Sequence, residues 1–200
     1  AAPRPAKMQV AAHTPDALSR ARQALMEQDY PRAISELEVL HRRQGSNQEI
    51  VRLLARAYLE GGQQARLLAW LPGQLRLYPH DSELSVLLAR AQLQAGDNAG
   101  AVATLSSHRP SLVSDPNYYA LLGAGLQQTG QWQESAAIYQ QLVSYSPGQG
   151  QWQLGLAIAL EQAGKPLEAG RHYRQAAQGT GLDESSRRFA EERGAALGEP

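Results

Sequence analysis

The stretch from Asp115 to Thr180, DPNYYALLGAGLQQTGQWQESAAIYQQLVSYSPGQGQWQLGLAIALEQAGKPLEAGRHYRQAAQGT, carries one pattern twice. Placing Tyr118 on Trp152 brings Leu122 onto Leu156, Leu126 onto Leu160, Gly130 onto Gly164 and Tyr139 onto Tyr173, all at a single constant offset. Apolar positions recur four apart up to the Gly and then resume beyond it, as two helices joined by a tight turn would read. Each such hairpin has an apolar face that only a neighbouring hairpin can bury, so the repeat predicts an all-α stack.

The same frame runs upstream without a gap, giving units at 14–47, 48–81, 82–115, 116–149 and 150–183. One first-helix column reads Leu54, Leu88, Leu122 and Leu156, followed at once by Ala55, Ala89, Gly123 and Ala157, small residues that let two helices approach closely. The turn column reads Gly62, Gly96, Gly130 and Gly164, where a helix end takes the left-handed conformation that Gly tolerates. Second-helix columns pair Ala33, Leu67, Ala101, Ser135 and Ala169 with Leu37, Leu71, Leu105, Tyr139 and Tyr173. A 34-residue helical hairpin with aromatic, Leu, small, Gly and Tyr positions in this order resembles the tetratricopeptide repeat. The resemblance implies a solenoid of five such helical hairpins with a non-catalytic surface for protein or peptide partners.

Departures from the consensus predict local structure. The first unit has Arg20 in place of Leu and Gln28 in place of Gly, as suits a terminal repeat with one unpartnered face. Pro72 and Gly73 fall inside the second helix of the second unit, predicting a kink or a short break there. Pro110 predicts a second helix in the third unit shortened to about Asn98 to His108, with Asp115 capping and Pro116 opening the next helix. After the fifth unit Asp183 can cap a last helix in residues 184–200, with Leu182, Phe189, Ala190 and Leu197 available to cover the open end of the stack. Residues 1–13, with Pro3 and Pro5, are expected to form a flexible linker. The opening AAPRPAKMQV has neither initiator Met nor signal peptide and is expected of a piece cut from a longer protein.

Composition bears on chemistry. Basic and acidic side chains balance at 19 each, so no net field favours nucleic acid or an anionic membrane. Without Cys the chain can build neither a disulfide framework nor a Cys-based zinc site, and no apolar run approaches the ~20 residues of a membrane span. His13, His41, His80, His108 and His172 lie in different units without metal-ligand spacing, and read as surface or turn residues. The Gly148 and Gly150 pair lacks the Lys and Ser/Thr of a phosphate loop and reads as a turn. No catalytic residue, metal site or cofactor is expected.

One column suggests recognition. In tetratricopeptide arrays the first helices line a groove, and the resemblance places Arg22, Arg56 and Arg90 in it, beside Arg52 and the ridge of Leu53, Leu87 and Leu121. Guanidinium groups next to Leu ridges would suit a peptide carrying carboxylates, which Arg binds bidentately. The alternative is internal pairing, for instance Arg56 with Glu60 and Arg52 with Glu49, each pair contributing only ~0.2 to 0.5 kcal/mol.

The run from Asn117 through the last two units, with GLDESSRRFAEERGAAL after it, resembles the carboxyl-terminal part of the MshN family of MSHA-type type IV pilus biogenesis. That resemblance implies a periplasmic repeat domain of an inner-membrane protein in a Gram-negative bacterium, with pilus assembly components as partners. A scaffold in another envelope system, for secretion or cytochrome c maturation, and a cytoplasmic adaptor or co-chaperone are the alternatives.

Overall fold

A computed structural model describes residues 16–198, so the expected linker at 1–13 lies outside the described residues. These hold eleven α-helices: α1 (Ala17–Met26), α2 (Tyr30–Arg43), α3 (Gln48–Glu60), α4 (Gln64–Leu77), α5 (Ser82–Gln94), α6 (Asn98–Ser107), α7 (Pro116–Gln128), α8 (Trp132–Tyr145), α9 (Gly150–Gln162), α10 (Pro166–Gln178) and α11 (Glu184–Ala196). The second helices of the five pairs begin at Tyr30, Gln64, Asn98, Trp132 and Pro166, the same interval apart every time. Two compact units result, one ending at Gln63 and holding α1 to α3, the other beginning at Gln64 and holding α4 to α11.

The turn chemistry explains the regular period. After the first helix of each pair a backbone N–H reaches one residue further back than a helical bond does: Asp29 to Ala24, Gln63 to Tyr58, Asp97 to Gln92, Gln131 to Leu126 and Lys165 to Leu160, at 2.8 to 2.9 Å. That bond requires a left-handed residue just before it, and Gly62, Gly96, Gly130 and Gly164 supply it at φ 72°, 81°, 73° and 83°. Gln28 occupies the same place with φ 58°, a conformation that a residue with a Cβ adopts at a cost. Asp29 and Asp97 then cap the next helix through the backbone N–H groups of Arg32 and Gly100.

The expected interruption at Pro72 does not occur: α4 is continuous from Gln64 to Leu77 with Pro72 inside it. An interior Pro costs ~3 kcal/mol, but Leu67 and Leu71, in the turn preceding Pro72, are fully buried, and each buried Leu contributes about 1.5 to 3 kcal/mol. Tertiary packing thus outweighs the local penalty. The short α6 and its irregular link do match expectation, with Asp115 capping α7 through the N–H of Tyr118 and Pro116 as its first residue.

In the second unit the core is continuous from Ala89 to Ala190. Tyr139 of α8 fills the column that Leu105 fills one repeat earlier, and its ring lies between Gly123 of α7 and Gly155 of α9. A Cβ at either Gly would come within 2.7 or 2.5 Å of that ring. Tyr118 is fully buried and donates its hydroxyl to the Leu105 carbonyl at 2.7 Å, and burial pushes its pKa up to about 12. Tyr118, Tyr139 and Tyr173 are therefore packing residues. The Gly148 turn is more than a turn: Gly150 donates to Thr180 and Thr180 to Gly148, at 2.8 and 2.9 Å, forming a short parallel bridge between successive junctions. Gly150 and Gly179 permit it, since a Cβ on either would meet the opposing backbone at 2.9 or 2.8 Å.

The last helix covers the end of the stack as its sequence suggested. Asp183 caps it by accepting from Ser186, which holds that carboxyl below its usual range, and Ala190 is fully buried. Phe189 meets Tyr173 edge-on at 5.8 Å, while Gly194 lets α11 settle against Arg174, whose Nη1 donates to the Gly194 carbonyl. Glu161 of α9 joins the two elements, accepting from the Tyr173 hydroxyl at 2.6 Å and pairing with Arg193 of α11.

Candidate protein-binding surface

The expected site residues fall in both units. Arg22, Arg52, Leu53 and Arg56 belong to the first, and Leu87, Arg90 and Leu121 to the second. In the first unit Arg22, exposed on α1, pairs with Glu49 of α3, so the two first helices are tied across distant parts of the sequence. Arg22, one arginine of the expected column, is thus paired within the protein. Arg52 and Arg56 are half-buried on α3. An exposed pair such as Arg22 with Glu49 contributes only ~0.2 to 1 kcal/mol and yields readily to a competing carboxylate.

The leucine ridge is corrected. Leu53 and Leu87 are 9% and 6% exposed and pack into the core, leaving little surface for a partner; only Leu121 is half-exposed. In the second unit the half-exposed column lies one residue earlier, at Val86, Ala120 and Leu154 of α5, α7 and α9. One turn on come Arg90, Ala124 and Ile158, and then Leu93, Gln127 and Glu161. The spacings of four and seven put each helix's three residues on one face, and α5 touches α7 as α7 touches α9. The result is a continuous, mostly aliphatic surface across three first helices, with exposed Arg90 at one edge.

Polar groups around this surface are committed to the fold. Gln127 donates through Nε2 to the Gly155 carbonyl at 2.8 Å, bracing α7 against α9. Glu161 is taken by Tyr173 and Arg193, whose guanidinium is held above its usual range by that hydrogen bond. The face therefore offers apolar contact with a cation at its edge and its carboxylate already satisfied. Among the described residues no three His, Asp or Glu side chains group as metal ligands, and no helix is long and apolar enough to cross a membrane.

One histidine departs from the surface reading. His172 bonds through Nδ1 to Gln153 Oε1 at 2.8 Å, and Gln153, 2% exposed, donates its Nε2 to the Pro147 carbonyl. Because the Gln amide nitrogen is used on the carbonyl, Gln153 presents its oxygen and His172 must carry the proton on Nδ1. Burial lowers the His172 pKa, with Arg171 adding to that and Gln175 and Glu168 opposing it. His80 and His108 meet edge-on at 4.7 Å although they belong to successive repeats, a proximity no spacing argument could find.

Family models of the tetratricopeptide repeat match residues 73–125 and 121–184. No curated protein matches the chain. Solved structures of MamA share its fold: one from MSR-1 at TM-score 0.66 and 20% identity, covering 88% of this chain and 95% of that one. A second MamA crystal structure aligns at TM-score 0.70 and 17% identity over 90% and 92% of the two chains. MamA from residue 41 onward of Desulfovibrio magneticus RS-1 aligns at 0.69 and 16%, over 80% and 90%. At these identities the likeness speaks to the fold.

Proposed function

As the chain is a tetratricopeptide-repeat protein with the solenoid fold, we propose that it is a non-catalytic scaffold holding envelope assembly proteins together, in a type IV pilus system of the MSHA kind. The observation that carries the scaffold reading is the aliphatic first-helix face of α5, α7 and α9, which lacks the paired acids, nucleophile or metal ligands that chemistry would need. Its apolar width suits an amphipathic helix or extended segment, and Arg90 at its edge favours one carrying a carboxylate. The pilus assignment, and with it a periplasmic location on an inner-membrane protein, is supported by the sequence of the last two repeats and α11.

Two experiments test the two layers separately. Capture from an envelope extract should retain pilus assembly proteins on the wild-type chain and lose them, about tenfold, on Ala124→Glu or Arg90→Glu with helicity unchanged; equal capture by all three chains would place the interface elsewhere. Deleting the gene should abolish surface pili while leaving pilin synthesis intact, and a version lacking residues 14–183 should not restore them. Normal piliation in the deletion strain would sink the pilus assignment and leave the scaffold reading standing.

A further inference from the structure

A cleft of about 290 Å³ lies on the second-helix side of the larger unit, away from the face just described. One wall is a stripe of α4 and its exit, Pro72, Leu75, Arg76 and Pro79, at helical spacings of three and four. The opposite wall is Thr104, Ser107 and His108 of α6 and its cap, and the floor is Ser85 and Leu88 of α5. The repeat provides an internal control two units on, where Ser85 and Thr104 become Gln153 and His172. There the two large side chains bond to each other and to Pro147, the counterpart of Pro79, and fill the space. The cleft is therefore made by two small residues at places where the same architecture accepts large, mutually bonded ones.

Its chemistry is equally particular. Ser85 and Thr104 spend their hydroxyls inside the protein, donating to the Asp81 carbonyl and to Gln92 Oε1. The interior surface is thus left to Leu75, Leu88 and the two proline rings. At the rim stand the exposed guanidinium of Arg76, where the filled junction has Ser144, and the imidazole of His108 against His80. Among the described residues that line the cleft there is no carboxylate. We propose that this cleft is a second binding site, taking a leucine-sized apolar side chain immediately beside a carboxylate, as at the carboxyl terminus of a partner chain, with Arg76 holding the carboxylate.

Acetyl-leucine and its uncharged amide are minimal probes, read on the full chain by amide chemical-shift titration. Roughly a dozen non-hydrogen atoms, each binding with the ordinary efficiency of a drug-sized ligand, give acetyl-leucine a Kd of about 2 mM. The shifts should centre on Leu75, Leu88, Thr104 and Ser107, and the amide should bind about tenfold more weakly. Arg76→Gln, an exposed change that leaves the packing alone, should bring the acid down to the affinity of the amide. Ser85→Gln with Thr104→His, copying the filled junction, should remove binding of both probes. Equal binding of acid and amide, or an unchanged acid affinity in Arg76→Gln, would overturn the carboxylate assignment. Shifts absent from the cleft altogether would overturn the site.

Discussion

Replacing Gly123 or Gly155 by Ala sets two effects of opposite sign against each other. Both glycines lie within helices, where Ala is favoured by about 1 kcal/mol over Gly. Each new Cβ, however, would stand 2.7 or 2.5 Å from the Tyr139 ring, closer than carbon atoms can approach. The ring is 7% exposed and held from both sides, so moving away from one Gly drives it into the other. Overpacking of this kind costs about 1 to 3 kcal/mol, enough to cancel the helix preference and leave either variant less stable by roughly 1 kcal/mol. Gly73 in α4 is the control, because nothing lies within 4 Å of where its Cβ would go, and Gly73→Ala should stabilise by about 0.5 to 1 kcal/mol. Adding Tyr139→Leu to Gly123→Ala recreates the pair that Leu105 and Ala89 form one repeat earlier, so the double variant should recover most of the loss. Thermal unfolding followed by far-ultraviolet circular dichroism resolves these differences as midpoint shifts of about 2 to 4 °C per kcal/mol. If Gly123→Ala and Gly155→Ala raise the midpoint as Gly73→Ala does, the clamp on Tyr139 is not what keeps these positions small.

Gln28→Gly should raise the thermal midpoint by a few degrees, since it relieves a left-handed conformation that costs a side-chain-bearing residue about 1 to 2 kcal/mol; an unchanged or lower midpoint would contradict this. A chain ending at Asp183 should melt lower and associate in sedimentation, because removing α11 uncovers Tyr173 and the apolar surface on which Ala190 packs; a monomer as stable as the whole chain would refute capping. For His172 the pKa is lowered by burial, so its neutral form is the one the fold favours, and its stabilisation is complete above about pH 6.5 and lost as pH falls through the lowered value. His172→Asn keeps a donor for Gln153 without titrating, and should lose less stability than the wild type between pH 7.5 and pH 5 in urea unfolding; parallel losses would show that the ring does not titrate in this window.

The repeat period was legible because it is enforced by turn chemistry: a back-bond one residue longer than the helical one needs a left-handed residue, and Gly at 62, 96, 130 and 164 announces it. Caps at Asp115 and Asp183 were legible for the same local reason. The continuity of α4 was not, because propensity at Pro72 is local whereas the burial of Leu67 and Leu71 is contributed by neighbours that a linear reading cannot weigh. The binding face failed in a different way. A shift of one residue along a helix turns a side chain by about 100°, so taking Leu53 and Leu87 in place of the column of Val86, Ala120 and Leu154 moved the expected ridge from the surface into the core. In α5 and α7 both columns are aliphatic, Leu87 and Leu121 against Val86 and Ala120, so periodicity alone gives no preference there; exposure decides, and exposure depends on which side the neighbouring hairpin packs. The cleft beside Arg76 is the extreme case of this dependence. Ser85 and Thr104 look like ordinary substitutions in their columns, and only the His172 and Gln153 pair, bonded to each other at the same positions two repeats on, turns their small size into a site.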